Sequence, residues 1–205
     1  MVKADVLADE ILDKALELAV DDSWQKVRLQ DVATSLGISL NQIRQHYRQK
    51  DDLAEALFDR ADQAVLNSAD SGEFKSLCGR ERVGRAIFTW LSTLTPYRRV
   101  IIDILKYKLE PGHLHLQVLG VLRISRTVQW ILEAAGSKTS GISRILEETG
   151  TTGVYVTAFS YWLRDRSEGS VKTGDLINRL LLKSESLALL VNSGSVVTKT
   201  ASQLE

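Results

Sequence analysis

The 205-residue chain has one cysteine, Cys78, and two prolines, Pro96 and Pro111. A lone thiol excludes an internal disulfide and fits a reducing cytoplasm. Cys78 itself is expected to be a small buried hydrophobe. So few prolines leave long helices unbroken. The histidines are few, and His113 and His115 stand two apart, which on a helix turns them in different directions rather than toward one metal ion. No nucleophile elbow, phosphate-cradling glycine loop or catalytic triad occurs, so no enzyme, cofactor or metal is expected. No run approaches the roughly 18 apolar residues of a membrane span. The N-terminal MVKADVLADEILDKALELA, with acids every few residues, is neither signal nor transit peptide. Net charge is also absent, with 26 basic and 26 acidic residues, so attraction to a polyanion has to come from a local patch. These absences predict a soluble, cytoplasmic protein.

What is present is helical periodicity. A 44% hydrophobic and 25% charged composition is that of an ordinary globular protein. Leu7, Ile11, Leu12, Ala15, Leu18 and Ala19 recur at three- and four-residue steps and form one apolar stripe. Leu29, Val32, Ala33 and Leu36 do the same over a shorter helix, which Gly37 stops. Ser39 then offers a hydroxyl to the free amides of the next helix, which buries Ile43 and Tyr47. A longer helix begins near Lys50, with Leu53, Leu57, Ala61 and Ala64 inward, and fades at SADSGEF. Further helices are predicted at roughly 80–95, 97–109, 112–135, 142–166 and 174–191, with no alternating strand segment. The fold class is therefore all-α. A head of residues 1–62, a larger helical domain of 63–192 and an unstructured polar tail of 193–205 are expected.

Two short helices joined by a glycine turn, the second polar and basic outside, have the layout of a helix-turn-helix. Over 1–62 there are 8 basic and 13 acidic residues, but 23–50 carries a net +4. The segment VRLQDVATSLGISLNQIRQHYRQKDDL, Val27 to Leu53, resembles the DNA-binding signature of the TetR family of bacterial regulators. The matching positions include Leu29, Asp31, Val32, Ala33, Gly37, Ile38, Ser39, Ile43, His46, Tyr47, Lys50 and Leu53. With the preceding helix the likeness covers about the first 62 residues. It implies that Leu40, Asn41, Gln42 and Gln45 read bases. Arg44, His46 and Lys50 would grip phosphate or sugar, with Gln30 and Ser39 as further contacts. Two positions depart from the family. Arg44 replaces a usual tyrosine, and Arg28 stands where threonine or serine usually opens the second helix, which loses a cap and adds a cation near phosphate.

The resemblance also implies that the C-terminal part holds a small-molecule pocket and a dimer face. The aromatic residues there point to an apolar or lipophilic ligand, lined by Trp90, Tyr107, Trp130, Phe159 and Trp162. Leu180, Leu181 and Leu187 lie on a stripe that a second copy could cover as a four-helix bundle. Arg123 and Arg126, in an otherwise apolar helix, are expected to pair with acids. The expected function is that of a ligand-responsive repressor binding a palindromic operator in double-stranded DNA as a homodimer. The segment WLRDRSEGSVKTGDLINRLL also resembles lipid-binding accessory proteins of ubiquinone biosynthesis, which share this fold. That likeness implies an alternative in which lipid or quinone binding replaces DNA reading.

Overall fold

The computed structural model describes residues 2–109 and 114–201, with side chains described for 6–108 and 120–186. His113 and the side chains of His115 and Leu187 lie outside them. Among the described residues every regular element is a helix, and none is long and apolar enough to cross a membrane.

The order is α1 (Val2–Asp21), a short 3₁₀ turn (Trp24–Lys26), α2 (Leu29–Leu36), α3 (Leu40–His46) and α4 (Lys50–Ala69). There follow α5 (Gly72–Ser76), α6 (Gly79–Leu94), α7 (Arg98–Leu109), α8 (Leu114–Ala134), α9 (Gly141–Trp162) and α10 (Val171–Ala201). The long helices lie where periodicity predicts them. The one-turn α5 does not come from periodicity: Ser71 Oγ accepts the Phe74 amide at 3.1 Å, and the Phe74 ring is buried. The polar segment expected to be unstructured from residue 193 continues α10 as far as Ala201. It contains no proline to interrupt helical hydrogen bonding.

The chain forms two compact units, Met1–Asn67 with Thr89–Ile124, and Ser68–Phe88 with Ser125–Glu205. Residue 62 lies within α4, and α6 and α8 each contribute to both units. In the first unit, α1 packs on α2, α3, α7 and the Trp24–Lys26 turn, and α7 packs on that same turn. The α1 stripe supplies Ile11, Leu12, Ala15 and Ala19 to the core, α4 supplies Leu53, Leu57 and Ala61, and Trp24 is fully enclosed.

A buried polar cluster joins α4, α6 and α8 within this unit. Asp62 is 6% exposed and Arg123 7%. One Asp62 oxygen accepts Trp90 Nε1–H at 2.8 Å, and the other accepts Arg123 at 2.7 Å. Arg123 also pairs with Asp59, and Lys108 donates to Glu55 at 2.8 Å. The expectation that Arg123 pairs with acids is met, whereas Cys78, expected to be buried, is exposed. In the second unit, α6 approaches α10 so closely at Gly84 that an added Cβ would stand 3.1 Å from Leu181 Cδ1. The turn between α9 and α10 is tied by Asp165, whose carboxylate accepts from Ser167 and Thr173. Burial works to raise its pKa, but those hydrogen bonds outweigh it and hold the carboxyl well below the usual range.

Removing one member of a buried ion pair leaves its partner uncompensated. Asp62→Ala should therefore cost about 3 kcal/mol in urea unfolding, the low end of such losses because Asp59 still faces the guanidinium.

Candidate nucleic-acid interface

α2 ends as its sequence requires. Gly37 takes a left-handed conformation (φ 66°), its amide bonds the Thr34 carbonyl at 3.2 Å, and the Ile38 amide bonds that of Ala33 at 3.0 Å. α3 opens with a reciprocal capping box. Ser39 Oγ accepts the Gln42 amide at 3.2 Å, while Gln42 Oε1 accepts the Ser39 amide at 2.9 Å. At the far end Tyr47 donates to the Ala8 carbonyl at 3.0 Å, tying α3 to α1. Burial and the nearby Asp9 push the Tyr47 phenol up to about 12, so it remains a donor throughout the physiological range. Ile43 is buried, and α3 is thereby held by one side.

The other side is open. Leu40, Asn41, Arg44 and Gln45 are exposed and, at three- and four-residue spacing, share a face. The side chains of Asn41, Arg44 and Gln45 have no hydrogen-bond or ion-pair partner among the described residues. Arg28, at the N-cap of α2, is exposed and makes no side-chain cap, and His46 is half-buried at the end of α3. Gln30 is exposed, with a long 3.5 Å contact to Thr34 Oγ1. Such a face offers amides to base edges and guanidinium groups to phosphate.

Three residues expected to touch DNA are engaged elsewhere, Ser39 among them through its hydroxyl in the capping box. Gln42 gives its carbonyl oxygen to the capping box, leaving only its NH₂ end. Lys50 is half-buried, and its ammonium donates to the carbonyls of Trp24 (2.7 Å), Gln25 (3.0 Å) and Val27 (3.1 Å) while lying 5.5 Å from the Trp24 ring centroid. Its three donors are thus matched, and burial pushes its pKa down. Arg48 counts in the net +4 of residues 23–50 but is assigned no contact from the sequence. Its side chain is exposed without a partner among the described residues, while its amide is fixed by Asp52 at 2.8 Å. The available signal was its place in the turn that leads into α4.

The five aromatic residues proposed to line a pocket are divided. Trp90 and Tyr107 belong to the first unit, and Trp130, Phe159 and Trp162 to the second. Trp90 is core, hydrogen-bonded to Asp62 and stacked on Phe58. Tyr107 is half-buried on α7 and Trp130 exposed on α8. Phe159 and Trp162 stack with centroids 5.8 Å apart. None of the five lines the second unit's cleft beside α6, α9 and α10. Of the residues assigned to a dimer face, Leu180 is half-buried, whereas Leu181 is buried in its own chain against α6.

No protein-family model matches the chain, and none of the curated proteins does. Among solved structures it is similar to the TetR transcriptional regulator from Nitrosomonas europaea ATCC 19718. That similarity is at 41% identity over 87% of this chain and 98% of that one, with a TM-score of 0.77. A TetR transcriptional regulator from Rhodococcus sp. RHA1 shares the fold at 16% identity, covering 89% and 96% of the two chains, with a TM-score of 0.65.

Because three carbonyls saturate the Lys50 ammonium in a half-buried site, Lys50→Met should lower stability by about 1–3 kcal/mol in urea unfolding. A residue serving only an external ligand would leave the unfolding midpoint unchanged.

Proposed function

Since the chain belongs to the TetR family of transcriptional regulators, we propose that it binds a palindromic DNA operator as a homodimer in the cytoplasm, represses transcription there, and is released by a small ligand held in its C-terminal part. The observation that carries the DNA reading is the open face of α3. There Asn41, Arg44 and Gln45 have no partner among the described residues, while their neighbours Ser39 and Gln42 are engaged in the cap. Asn41 and Gln45 present two-sided amides suited to adenine or other base edges, and exposed Leu40 suits a thymine methyl. Arg28, Arg44 and Arg48 supply the cations that phosphate binding needs, with Arg48 in the place first given to Lys50. The ligand acts by binding one arrangement of the dimer more tightly than the other.

Dimer formation is supported by large apolar side chains exposed on α9 and α10. Ile142 is 78% exposed and Ile145 64% near the start of α9, with Val156 exposed further along it and Leu182 exposed on α10. Large apolar side chains left exposed in this number favour an interface, and a second copy presenting the same helices would cover them.

Quantitative binding to duplexes from the chain's own genomic neighbourhood tests the operator reading. Asn41→Ala and Gln45→Ala should each relax preference at a base pair by roughly 1–3 kcal/mol with little change in salt slope. Arg44→Ala and Arg48→Ala should weaken every duplex alike and lower the slope by about one for each phosphate that is no longer neutralised. Absence of binding to any duplex at low salt would replace this reading with the lipid- or quinone-binding alternative.

For the dimer, Ile145→Glu should yield a monomer in light scattering with helical content intact, and weaker operator binding, since one head reads only a half-site. Leu181→Glu should instead lower stability, because that side chain is buried within its own chain. A wild-type monomer at micromolar concentration would overturn the dimer.

A further inference from the structure

The second unit contains a cleft of about 620 Å³, bounded by the start of α6, the connection from α8 to α9, and facing parts of α9 and α10. That volume is within the range of small-molecule sites. Its apolar wall is aliphatic, with Val83, Leu146 and Leu181 the largest members.

The charged groups of the lining are Arg80, Glu147 and Glu185. Arg80 is matched, with its guanidinium 2.6 Å from Glu185 Oε2. Glu147 is not matched by any cation among the described residues. Its Oε2 accepts Ser137 Oγ–H at 2.5 Å and Thr139 Oγ1–H, while Oε1 has no partner among the described residues. Lys138, on the connecting segment between Ser137 and Thr139, is exposed, makes no ion pair with Glu147 among the described residues and is not part of the lining, and Arg82 approaches Gly136 but donates to the carbonyls of Leu77 and Lys75. Arg144 pairs with Glu133. Two hydroxyls orient the Glu147 carboxylate without neutralising it.

We propose that this cleft binds a small organic cation, an ammonium or guanidinium group carried on an aliphatic body. The cation pairs with Glu147, and the body lies against Val83, Leu146 and Leu181. A charge-assisted hydrogen bond to the open carboxylate oxygen supplies the polar contact, and burial of the aliphatic body supplies the rest. An anion would meet two carboxylates, one of them uncompensated, and a neutral alcohol would leave the Glu147 charge unmatched. This goes beyond the operator reading, which leaves the ligand's charge open. It is tested without DNA, so either idea can fail alone.

The test is an amide-shift NMR titration of the full chain with n-hexylammonium and n-hexylguanidinium, against hexanoate and 1-hexanol, which carry the same body. At least one cation should saturably shift the amides of Gly136, Ser137 and Gly150, and the anion and alcohol should not. Glu147→Gln should weaken the cation at least about tenfold. Ser143→Trp, which fills the cleft from an exposed position, should do the same and decides the matter if Glu147→Gln misfolds. Failure of both cations to saturate, equal affinity for hexanoate or hexanol, or undiminished binding by a folded Glu147→Gln protein would overturn the proposal.

Discussion

The Lys50 ammonium is the fixture on which the first unit's geometry depends. Its three donors close onto carbonyls of Trp24, Gln25 and Val27, so the first residue of α4 fixes the turn from which α2 starts. α2 in turn sets α3 through the Gly37 corner. The same helix is held again at Arg60, which bridges to Asp13 at 2.7 Å and Asp9 at 3.3 Å on α1, and at Asp62, which binds α6 and α8. α4 is therefore gripped at three levels by different partners. A surface that must match a rigid duplex gains from such fixing, because less ordering remains to be done on binding.

The structure separates polar groups into those matched internally and those left open, and the separation is more informative than residue type. Gln42 and Gln45 are both exposed amides on α3, but only Gln42 has its carbonyl oxygen engaged by the protein itself. Lys50 and Arg48 are both cations two residues apart, but only Lys50 has its side chain satisfied. The second unit repeats the contrast: Glu185 holds Arg80, while Glu147 holds only hydroxyls.

Legibility in the sequence followed the range of the interactions. The long helices, the Gly37 stop and the Ser39 cap rest on residues within a few positions of each other, and local spacing reveals them. α5 escaped because one turn has no period to detect. The role of Lys50 was hidden because its acceptors lie more than twenty residues earlier and are backbone atoms, which no side-chain pattern records. From the sequence Trp90 is assigned to a ligand pocket, because a spaced aromatic does not show its partner there; the hydrogen bond from its indole nitrogen to Asp62 makes it core. The α10 stripe was visible as apolar, but its cover was not. Gly84, whose missing side chain admits Leu181, was the sign that part of it faces inward.

The acidity of residues 1–62 loses its force as an objection to DNA binding once its carboxylates are placed. Asp9 and Asp13 hold Arg60, and Asp22 holds Lys26. Asp52 caps the amides that open α4. Glu55, Asp59 and Asp62 meet Lys108 and Arg123. Between Ser23 and Lys50 only Asp31 is acidic. At physiological ionic strength charges are screened over about 8 Å, so a phosphate against α3 feels the nearby guanidinium groups rather than the sum over the segment. With Lys26 paired and Lys50 turned to carbonyls, that local field rests on Arg28, Arg44 and Arg48. Three arginines are a modest electrostatic anchor. On the operator reading proposed above, a single head would have little hold on DNA, and a pair of heads on adjacent half-sites would make the binding strong enough to select a site.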